Sequence, residues 1–170
     1  MKVKVWDLFV RVFHWSLVVA FFGAYFIEGG DTAHEVLGYT ALGLVTTRIV
    51  WGFIGTKYAR FTQFVPPPRR LFAYVREAIQ RREARVIGHN PAGAIMILAL
   101  ICAVIATSAT GWMLTTDAYW GDELIGDLHK LIANATVALV GLHVAGAIYE
   151  SVRHRENLIF AMITGRKRER

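Results

Sequence analysis

The sequence contains a single cysteine, Cys102, among its 170 residues. One thiol cannot form an internal disulfide bond, a C-x-x-C iron–sulfur pattern or the C-x-x-C-H motif that attaches haem covalently. Covalent attachment of a cofactor through a pair of cysteines is therefore excluded, and any bound cofactor is expected to be held non-covalently. Cys102 lies within an apolar stretch, where we expect a small packing residue.

The sequence also lacks a clear small-residue cleavage site after its first apolar run, and it shows no internal repeat or low-complexity segment. Basic residues before that run imitate a secretory signal peptide, but the run is long enough to span a bilayer. We therefore expect the first segment to be retained and the chain to form one domain.

Hydrophobic residues make up 55% of the chain, which is unusual for a soluble domain. Four apolar stretches reach or approach the roughly 20 residues that a helix needs to cross a bilayer. We place these spans near residues 8–28, 34–54, 92–114 and 126–150. Since lipid cannot satisfy backbone polar groups, each span is expected to be helical. The predicted fold is all-α, a transmembrane four-helix bundle over residues 1–170.

The charges are distributed unevenly between the predicted connections. Basic residues lie before the first span, between the second and third, and after the fourth: Lys2, Lys4, Arg11, Lys57, Arg60, Arg69, Arg70, Arg76, Arg81, Arg82, Arg85, Arg153, Arg155, Arg166, Lys167, Arg168 and Arg170. The two other connections are acidic. The positive-inside rule then predicts that the N- and C-termini are cytoplasmic. Topology and anionic lipid explain the net charge of +6, so no nucleic-acid partner is predicted.

The long connection, residues 55–91, is interrupted by Pro66-Pro67-Pro68, which breaks any helix. After it, residues 69–86 mix apolar and basic positions in a way that favours an amphipathic segment lying in the membrane interface. Pro91 is acceptable in the first turn of the third span.

Four of the six histidines lie within the predicted spans: His14, His34, His129 and His143. Ionisable side chains inside a membrane are costly, which makes them functional candidates. His129 and His143 are 14 residues apart on one predicted helix, so they share a face and are separated by about 21 Å along the axis. The direction of each span then places His143 at the depth of His14, and His129 at the depth of His34.

Two histidines at each depth predict two haem b groups, each with two axial imidazoles. His14 would pair with His143 on the cytoplasmic side, and His34 with His129 on the periplasmic side. One alternative is that a histidine is a hydrogen-bonded packing residue between helices. A zinc or copper site is another alternative, although two ligands per level fall short of the four that zinc prefers.

Three basic residues are candidates to bind haem propionates. Arg11 and Arg48 are assigned to the cytoplasmic-side haem and Lys130 to the periplasmic-side haem, from position alone. Snorkelling to the interface is the alternative for Arg48. We interpret His89 as a structural hydrogen-bonding residue, with proton exchange near a quinone as the alternative, and His154 as solvated or lipid-facing.

Several segments together resemble the prokaryotic cytochrome b561 family and the related cytochrome b subunit of nickel–iron hydrogenases. They are residues 5–7 (VWD), 11–15 (RVFHW), 34–39, 48–52 (RIVWG), 88–91 (GHNP) and the pair His129 and His143. The resemblance implies a four-helix dihaem protein that moves electrons across the bilayer, commonly with quinone on one side. It also implies axial-ligand roles for His14, His34, His129 and His143.

From these features we expect electron transfer between the quinone pool and a periplasmic redox protein such as a cytochrome. The expected location is the bacterial inner membrane, where the chain is multi-pass, contacts the lipid bilayer and quinol, and is compatible with an oligomer. One alternative is an oxidoreductase acting on superoxide or another small oxidant and quinone, although the acidic external face repels anions. The other is a haem-bearing anchor subunit of a hydrogenase or dehydrogenase complex.

Overall fold

The computed structural model describes residues 2–169. Within this range the chain forms seven helices and two short strands: β1 (Lys2–Lys4), α1 (Leu8–Phe26), α2 (Thr32–Ile54), α3 (Phe61–Phe64), α4 (Pro68–Ile79), α5 (Pro91–Leu114), α6 (Glu123–Arg153), α7 (Leu158–Thr164) and β2 (Arg166–Arg168). Helices α1, α2, α5 and α6 are long and apolar enough to cross a membrane. Their ends lie within three residues of the predicted spans. The prediction of an all-α protein with four membrane-spanning helices is confirmed, while the side on which the termini lie stays a prediction.

The surface of the four long helices is apolar. In the most apolar 18-residue stretch of each, between 6% and 22% of the residues are buried inside the protein. Large side chains such as Val19, Phe53 and Leu131 are about two-thirds exposed. Cys102 on α5 is exposed as well, so its predicted role as an internal packing residue is wrong. An apolar surface of this extent is suited to lipid rather than water.

The described residues form two compact units. The strand unit comprises residues 2–11, 50–98 and 142–169, and the bundle unit comprises residues 12–49 and 99–141. Each of the four long helices contributes to both units. The two units are described separately below.

Polar side chains join the helices of the bundle unit. Tyr25 on α1 donates its hydroxyl to Asn134 Oδ1 on α6 at 2.8 Å. Thr107 on α5 and Thr136 on α6 share a hydroxyl hydrogen bond of 3.3 Å, and Thr136 is fully buried. Because lipid offers no hydrogen bonds, such pairs are a main source of attraction between membrane helices.

In the strand unit, β1 pairs with β2 in an antiparallel register that sets Lys2 opposite Arg168 and Lys4 opposite Arg166. Helix α7 precedes β2. It begins at Asn157, whose side chain accepts a hydrogen bond from Phe160 N at 2.8 Å, an N-cap that satisfies one free amide of the first turn.

Gly165 joins α7 to β2 and to the start of the chain. Its left-handed φ of 76° ends the helix, a conformation that glycine adopts without a steric penalty. Its carbonyl accepts hydrogen bonds from Val5 N at 2.9 Å and Trp6 N at 3.1 Å. The two ends of the described chain are therefore connected through this one residue as well as through the strand pair.

Asp7 links the start of α1 to the end of α2. One carboxylate oxygen accepts from Val10 N at 2.8 Å, and the other accepts from Trp51 Nε1 at 3.0 Å and Thr56 Oγ1 at 2.6 Å. The side chain is buried, and its negative charge is favourable at a helix N-terminus. The VWD segment of the sequence thus has a structural role.

Helix α4 is amphipathic but shorter than the predicted segment 69–86, because it ends at Ile79. The chain turns at Arg81, which has a left-handed φ of 55°. On the inner face of α4, Tyr74 donates its hydroxyl to Glu150 Oε1 at 2.8 Å. Burial and this carboxylate together raise the pKa of Tyr74 above its ordinary value.

Two ion pairs fix the non-helical segment that follows Arg81. Glu83 Oε1 lies 2.9 Å from Arg153 Nε, and Arg85 Nη2 lies 2.9 Å from Glu156 Oε2. Burial opposes ionisation of Glu83 and Glu156, but backbone amides and these arginines outweigh it, so the pKa of each carboxyl is below its ordinary value. Partly buried pairs of this kind override local helix propensity.

We expect Gly165→Ala to weaken the junction between the chain ends. An added Cβ would lie 2.5 Å from Trp6 O, and a left-handed conformation costs an L-residue roughly 1–2 kcal/mol. The variant should therefore have a lower thermal unfolding midpoint in detergent, followed by circular dichroism, and faster amide exchange at Val5 and Trp6. Gly29→Ala is the control, since an added Cβ there meets nothing within 4 Å. Equal midpoints and exchange rates for the two variants would contradict the junction.

Candidate functional site

The four predicted ligand residues lie on three of the long helices. His14 is on α1, His34 is in the first turn of α2, and both His129 and His143 are on α6, which is one continuous helix. All four side chains are half-buried. His14, His34 and His129 belong to the bundle unit and His143 to the strand unit.

His34 and His129 face each other within the bundle unit. Their ring centroids are 6.1 Å apart, and the ring planes are inclined at 68°. The first comes from α2 and the second from α6, which are far apart in sequence. The structure therefore brings together the pair that the depth argument assigns to one level.

The Nδ1 atom of His34 is held by the end of α1. It lies 2.9 Å from the carbonyl oxygen of Ala24 and 3.1 Å from that of Ile27. Carbonyls in the last turn of a helix have no amide of their own helix to bind. Because a carbonyl can only accept, Nδ1 must carry the ring proton, and Nε2 is left with a lone pair that can bind a metal ion.

The Nδ1 atom of His129 is held by α5 in a comparable way. It lies 3.0 Å from the carbonyl oxygen of Thr107 and 3.0 Å from Thr110 Oγ1. The Thr110 hydroxyl donates to the carbonyl of Ala106 at 2.9 Å, so its oxygen acts as an acceptor toward the imidazole. His129 therefore has the same tautomer as His34, and both rings can bind a metal ion through Nε2.

Glycines lie next to both rings. A Cβ on Gly111 would be 3.0 Å from His129 Cε1, so the His129 ring packs directly against the glycine backbone. Gly38 and Gly126 lie about one helical turn from His34 and His129 on their own helices, and a Cβ at either position would meet nothing within 4 Å. There is thus open space beside Gly38 and Gly126, each about one helical turn from a histidine.

The distance between the two rings agrees with joint ligation of one metal ion. With metal–nitrogen bonds of roughly 2.0–2.1 Å, two imidazoles on opposite sides of one ion have centroids roughly 6 Å apart. Two axial imidazoles are also a donor set that haem iron accepts. Over residues 2–169, no group of three or more His, Cys, Asp or Glu side chains is arranged to hold a metal ion. The residues present fit a haem at this position.

His14 lies beside Trp15, with ring centroids 5.0 Å apart and planes nearly perpendicular. The pairing of His14 with His143 stays a prediction.

The three basic candidates differ in their surroundings. Arg11 donates from Nη1 to the carbonyl of Ile163 at 2.7 Å, so its guanidinium binds the end of α7. Arg48 on α2 is buried, with 3% of its surface exposed, so the alternative that it snorkels to the interface is wrong. Lys130 is exposed and lies 3.8 Å from Asp127 in the next helical turn. Propionate binding by these residues stays a prediction.

The two remaining histidines lie in the strand unit. His89 is between the rings of Trp6 and Phe64, with centroid distances of 4.5 and 4.6 Å. His154 is largely buried, and its Nε2 lies 3.3 Å from a carboxylate oxygen of Glu150. The interpretation of His154 as solvated or lipid-facing is therefore wrong.

Sequence reasoning missed the part that α5 plays in this site. The third span has no histidine, yet Thr107 and Thr110 form hydrogen bonds with His129 Nδ1. Gly111 packs directly against the His129 ring. The available signal was the cluster of small and polar residues at 107–111, which is suited to close helix contacts.

The chain matches known proteins along nearly its whole length. A family model described as prokaryotic cytochrome b561 matches residues 5–165. Three similar proteins are each named "Probable Ni/Fe-hydrogenase B-type cytochrome subunit". The one from Rhodobacter capsulatus is 26% identical over 98% of this chain and 81% of its own length. Those from Azotobacter vinelandii and Bradyrhizobium diazoefficiens are 28% and 25% identical, over 96% and 99% of this chain and 87% of their own lengths.

No solved structure matches the chain. The family match over almost all of the sequence, together with four apolar helices and facing imidazoles, leads to one conclusion. The chain belongs to the prokaryotic cytochrome b561 family and is a membrane-integral electron-transfer protein that binds haem b.

Proposed function

We propose that this protein carries electrons across the bacterial inner membrane between quinol and a periplasmic redox protein, with two haem b groups as carriers. The observation that carries the proposal is the facing pair His34 and His129, whose rings are 6.1 Å apart and whose Nδ1 atoms are both hydrogen-bonded to backbone carbonyls.

His34 and His129 would hold the periplasmic-side haem through their Nε2 atoms. A haem bound there would supply one-electron redox chemistry. Because two imidazoles of this chain would bind it, oxygen or a substrate would be disfavoured as a further ligand. The carbonyls of Ala24 and Thr107 orient the rings and increase their basicity through the Nδ1 protons.

His14 and His143 would hold the cytoplasmic-side haem. This assignment is supported by the position of His143 on the same continuous helix as His129, 14 residues further on, which is about 21 Å along the axis and nearly the same face. Arg48 is a candidate partner for a propionate of this haem, because it is buried on α2 and carries a positive charge that suits a carboxylate. Arg11 and Lys130 are weaker candidates for the same kind of contact.

The orientation follows from charge. The α1–α2 connection carries exposed Glu28 and Asp31, and the α5–α6 connection carries exposed Asp117, whereas the connection between α2 and α5 carries Lys57 and the α4 arginines. The positive-inside rule therefore supports cytoplasmic termini and a periplasmic acidic face. An acidic face attracts a basic redox partner, such as a cytochrome, by long-range electrostatics.

A second candidate function is that of the haem-bearing membrane subunit of a hydrogenase complex. It is favoured by the three similar proteins, each named as a probable hydrogenase cytochrome subunit, which this chain covers over 81–87% of their lengths. Stoichiometric co-purification with a hydrogenase catalytic subunit would favour this candidate. Rapid reduction of the isolated cytochrome by quinol and its reoxidation by a soluble cytochrome would favour electron transfer without a fixed catalytic partner.

The first prediction concerns haem content. Protein purified from cells supplied with ample haem should contain about two non-covalent haems per chain, because two pairs of imidazoles are available. A pyridine haemochrome assay normalised to protein concentration measures this ratio, and a reduced-minus-oxidised spectrum identifies b-type haem. A ratio near one would leave a single site, and a ratio near zero with an intact fold would contradict the whole proposal.

The second prediction concerns pairing. His34→Ala and His129→Ala should disturb one haem, whereas His14→Ala and His143→Ala should disturb the other, since each haem loses an axial ligand. Redox titration followed by the reduced haem absorbance separates the two centres by potential. Circular dichroism checks that each variant is folded. If folded variants all lost both centres equally, the assignment of ligand pairs would be wrong.

The third prediction concerns Gly111. The methyl group of Gly111→Ala would lie 3.0 Å from His129 Cε1 and push the imidazole out of line, so we expect haem affinity at this centre to fall roughly 10-fold or more. Haem titration into apoprotein measures the affinity, and redox titration shows which centre changes.

Gly141→Ala is the matched control on α6. An added Cβ there meets nothing within 4 Å, and position 141 points roughly 120° or more away from both His129 and His143. The control should therefore retain both centres. A Gly111→Ala protein with unchanged affinity and potential at both centres would show that the His129 ring does not depend on this contact.

A further inference from the structure

A basic cavity lies where the end of α6, helix α7 and the strand pair meet in the strand unit. Its volume is about 550 Å³, and we call it the tail cavity. The lining residues that matter here are Lys2, Arg155, Phe160, Arg166 and Arg168. None of these residues is a proposed haem ligand, and no role in binding has been assigned to their side chains above.

The positive charge of the tail cavity is not balanced by its one acidic lining residue, Glu156. That carboxylate is buried and already accepts from Arg85 at 2.9 Å and from the backbone amide of Arg168 at 2.7 Å. Within residues 2–169, no carboxylate forms an ion pair with the side chain of Lys2, Arg155 or Arg166. Three exposed cations therefore line a cavity whose one carboxylate among the described residues, that of Glu156, is already bonded to other groups.

The backbone around these cations is held in place. Arg155 has a left-handed φ of 51°, and its carbonyl, like that of His154, accepts a hydrogen bond from the guanidinium of Arg168. Arg166 opens strand β2, whose partner β1 carries Lys2. Arg155 thus lies in a turn held by hydrogen bonds, and Arg166 and Lys2 lie in a strand pair.

A largely apolar recess of about 290 Å³ adjoins the cavity and shares Arg155, Glu156 and Asn157 with it. Ile148, Val152 and Ile159 line this recess, and each is about half exposed or more. Ile148 and Val152 belong to α6, a helix long and apolar enough to span a membrane. The recess therefore continues from the cations onto a surface suited to hydrocarbon.

We infer that the tail cavity and its recess bind one anionic phospholipid, with the phosphate between Lys2, Arg155 and Arg166 and an acyl chain along the recess. Basic pockets beside the ends of membrane helices suit anionic headgroups, and amphipathic surfaces at the interface combine this attraction with apolar burial. A soluble anion would use the cations but would leave Ile148, Val152 and Ile159 without a role. The inference does not depend on the number or ligation of the haems.

Native mass spectrometry of the full haem-loaded protein in detergent tests this inference. Dioleoyl phosphatidylglycerol and dioleoyl phosphatidylcholine share acyl chains and differ in headgroup charge, so they are titrated separately. We expect one phosphatidylglycerol to bind about tenfold or more tighter than phosphatidylcholine, since each basic residue near an anionic headgroup contributes about fivefold. Equal affinities for the two lipids would overturn the inference.

Two double variants separate the effect of the cavity arginines on lipid binding from the effect of positive charge elsewhere on the surface. Arg155→Gln combined with Arg166→Gln should weaken phosphatidylglycerol binding by roughly 25-fold, from about fivefold per arginine. Arg69→Gln combined with Arg70→Gln removes the same charge from exposed positions of α4 that do not line the cavity, and it should leave binding unchanged. Similar losses in both double variants would mean non-specific attraction and would overturn the site.

Two further measurements keep the test decisive. If the cavity double variant loses its helical circular dichroism, the single variant Arg166→Gln replaces it, because this exposed side chain can change without altering the backbone pairing. Ile159→Ser should weaken phosphatidylglycerol binding through the recess alone. If soluble glycerol phosphate displaced phosphatidylglycerol at equal concentration, or if Ile159→Ser had no effect, the occupant would be a soluble anion and the lipid assignment would be wrong.

Discussion

The hydrogen bonds from two imidazole Nδ1 atoms to backbone carbonyls determine what this protein can bind. The carbonyls of Ala24 and Ile27 hold His34, and the carbonyl of Thr107 holds His129. Because a carbonyl accepts and never donates, each bond fixes the ring proton and leaves Nε2 as the metal-binding atom. Inside a bilayer such bonds have few competitors, since neither water nor lipid can replace them. The arrangement also ties the start of α2 to the end of α1, where the Ala24 carbonyl accepts from Ile27 N as well as from His34.

Helix α5 shows how a segment without ligands can shape a site. Thr107 contributes a carbonyl to His129 and a hydroxyl to Thr136, Thr110 contributes a second acceptor, and Gly111 leaves room for the ring. Each of these residues is small, which lets α5 and α6 approach closely without relying on a hydrophobic driving force. The five-residue run from 107 to 111 thus combines helix packing with ligand orientation.

The features that depend on local sequence were predictable, and those that depend on distant partners were not. Apolar length located the four long helices, and the spacing along the helices indicated that His34 and His129 lie at one depth. The pairing of Lys2 with Arg168 could not be read from strands of three residues, whose alternation is too short to distinguish from chance. The early end of α4 likewise depends on Glu83 meeting Arg153, a contact between distant segments. The contact of Arg11 was unpredictable for the same reason. Its partner Ile163 lies on α7, a helix that was not predicted from the sequence of the basic C-terminal segment.

The strand pair has a consequence for how the chain is threaded through the bilayer. Two strands joined edge to edge must lie on one side of the membrane, so the polypeptide between them has to cross an even number of times. Helices α1, α2, α5 and α6 satisfy this parity. If one helix failed to insert, the chain would cross the membrane three times. Strands β1 and β2 would then lie on opposite sides of the membrane and could not pair. Because β2 is synthesised after all four helices, its pairing with β1 excludes every molecule in which an odd number of these helices has inserted.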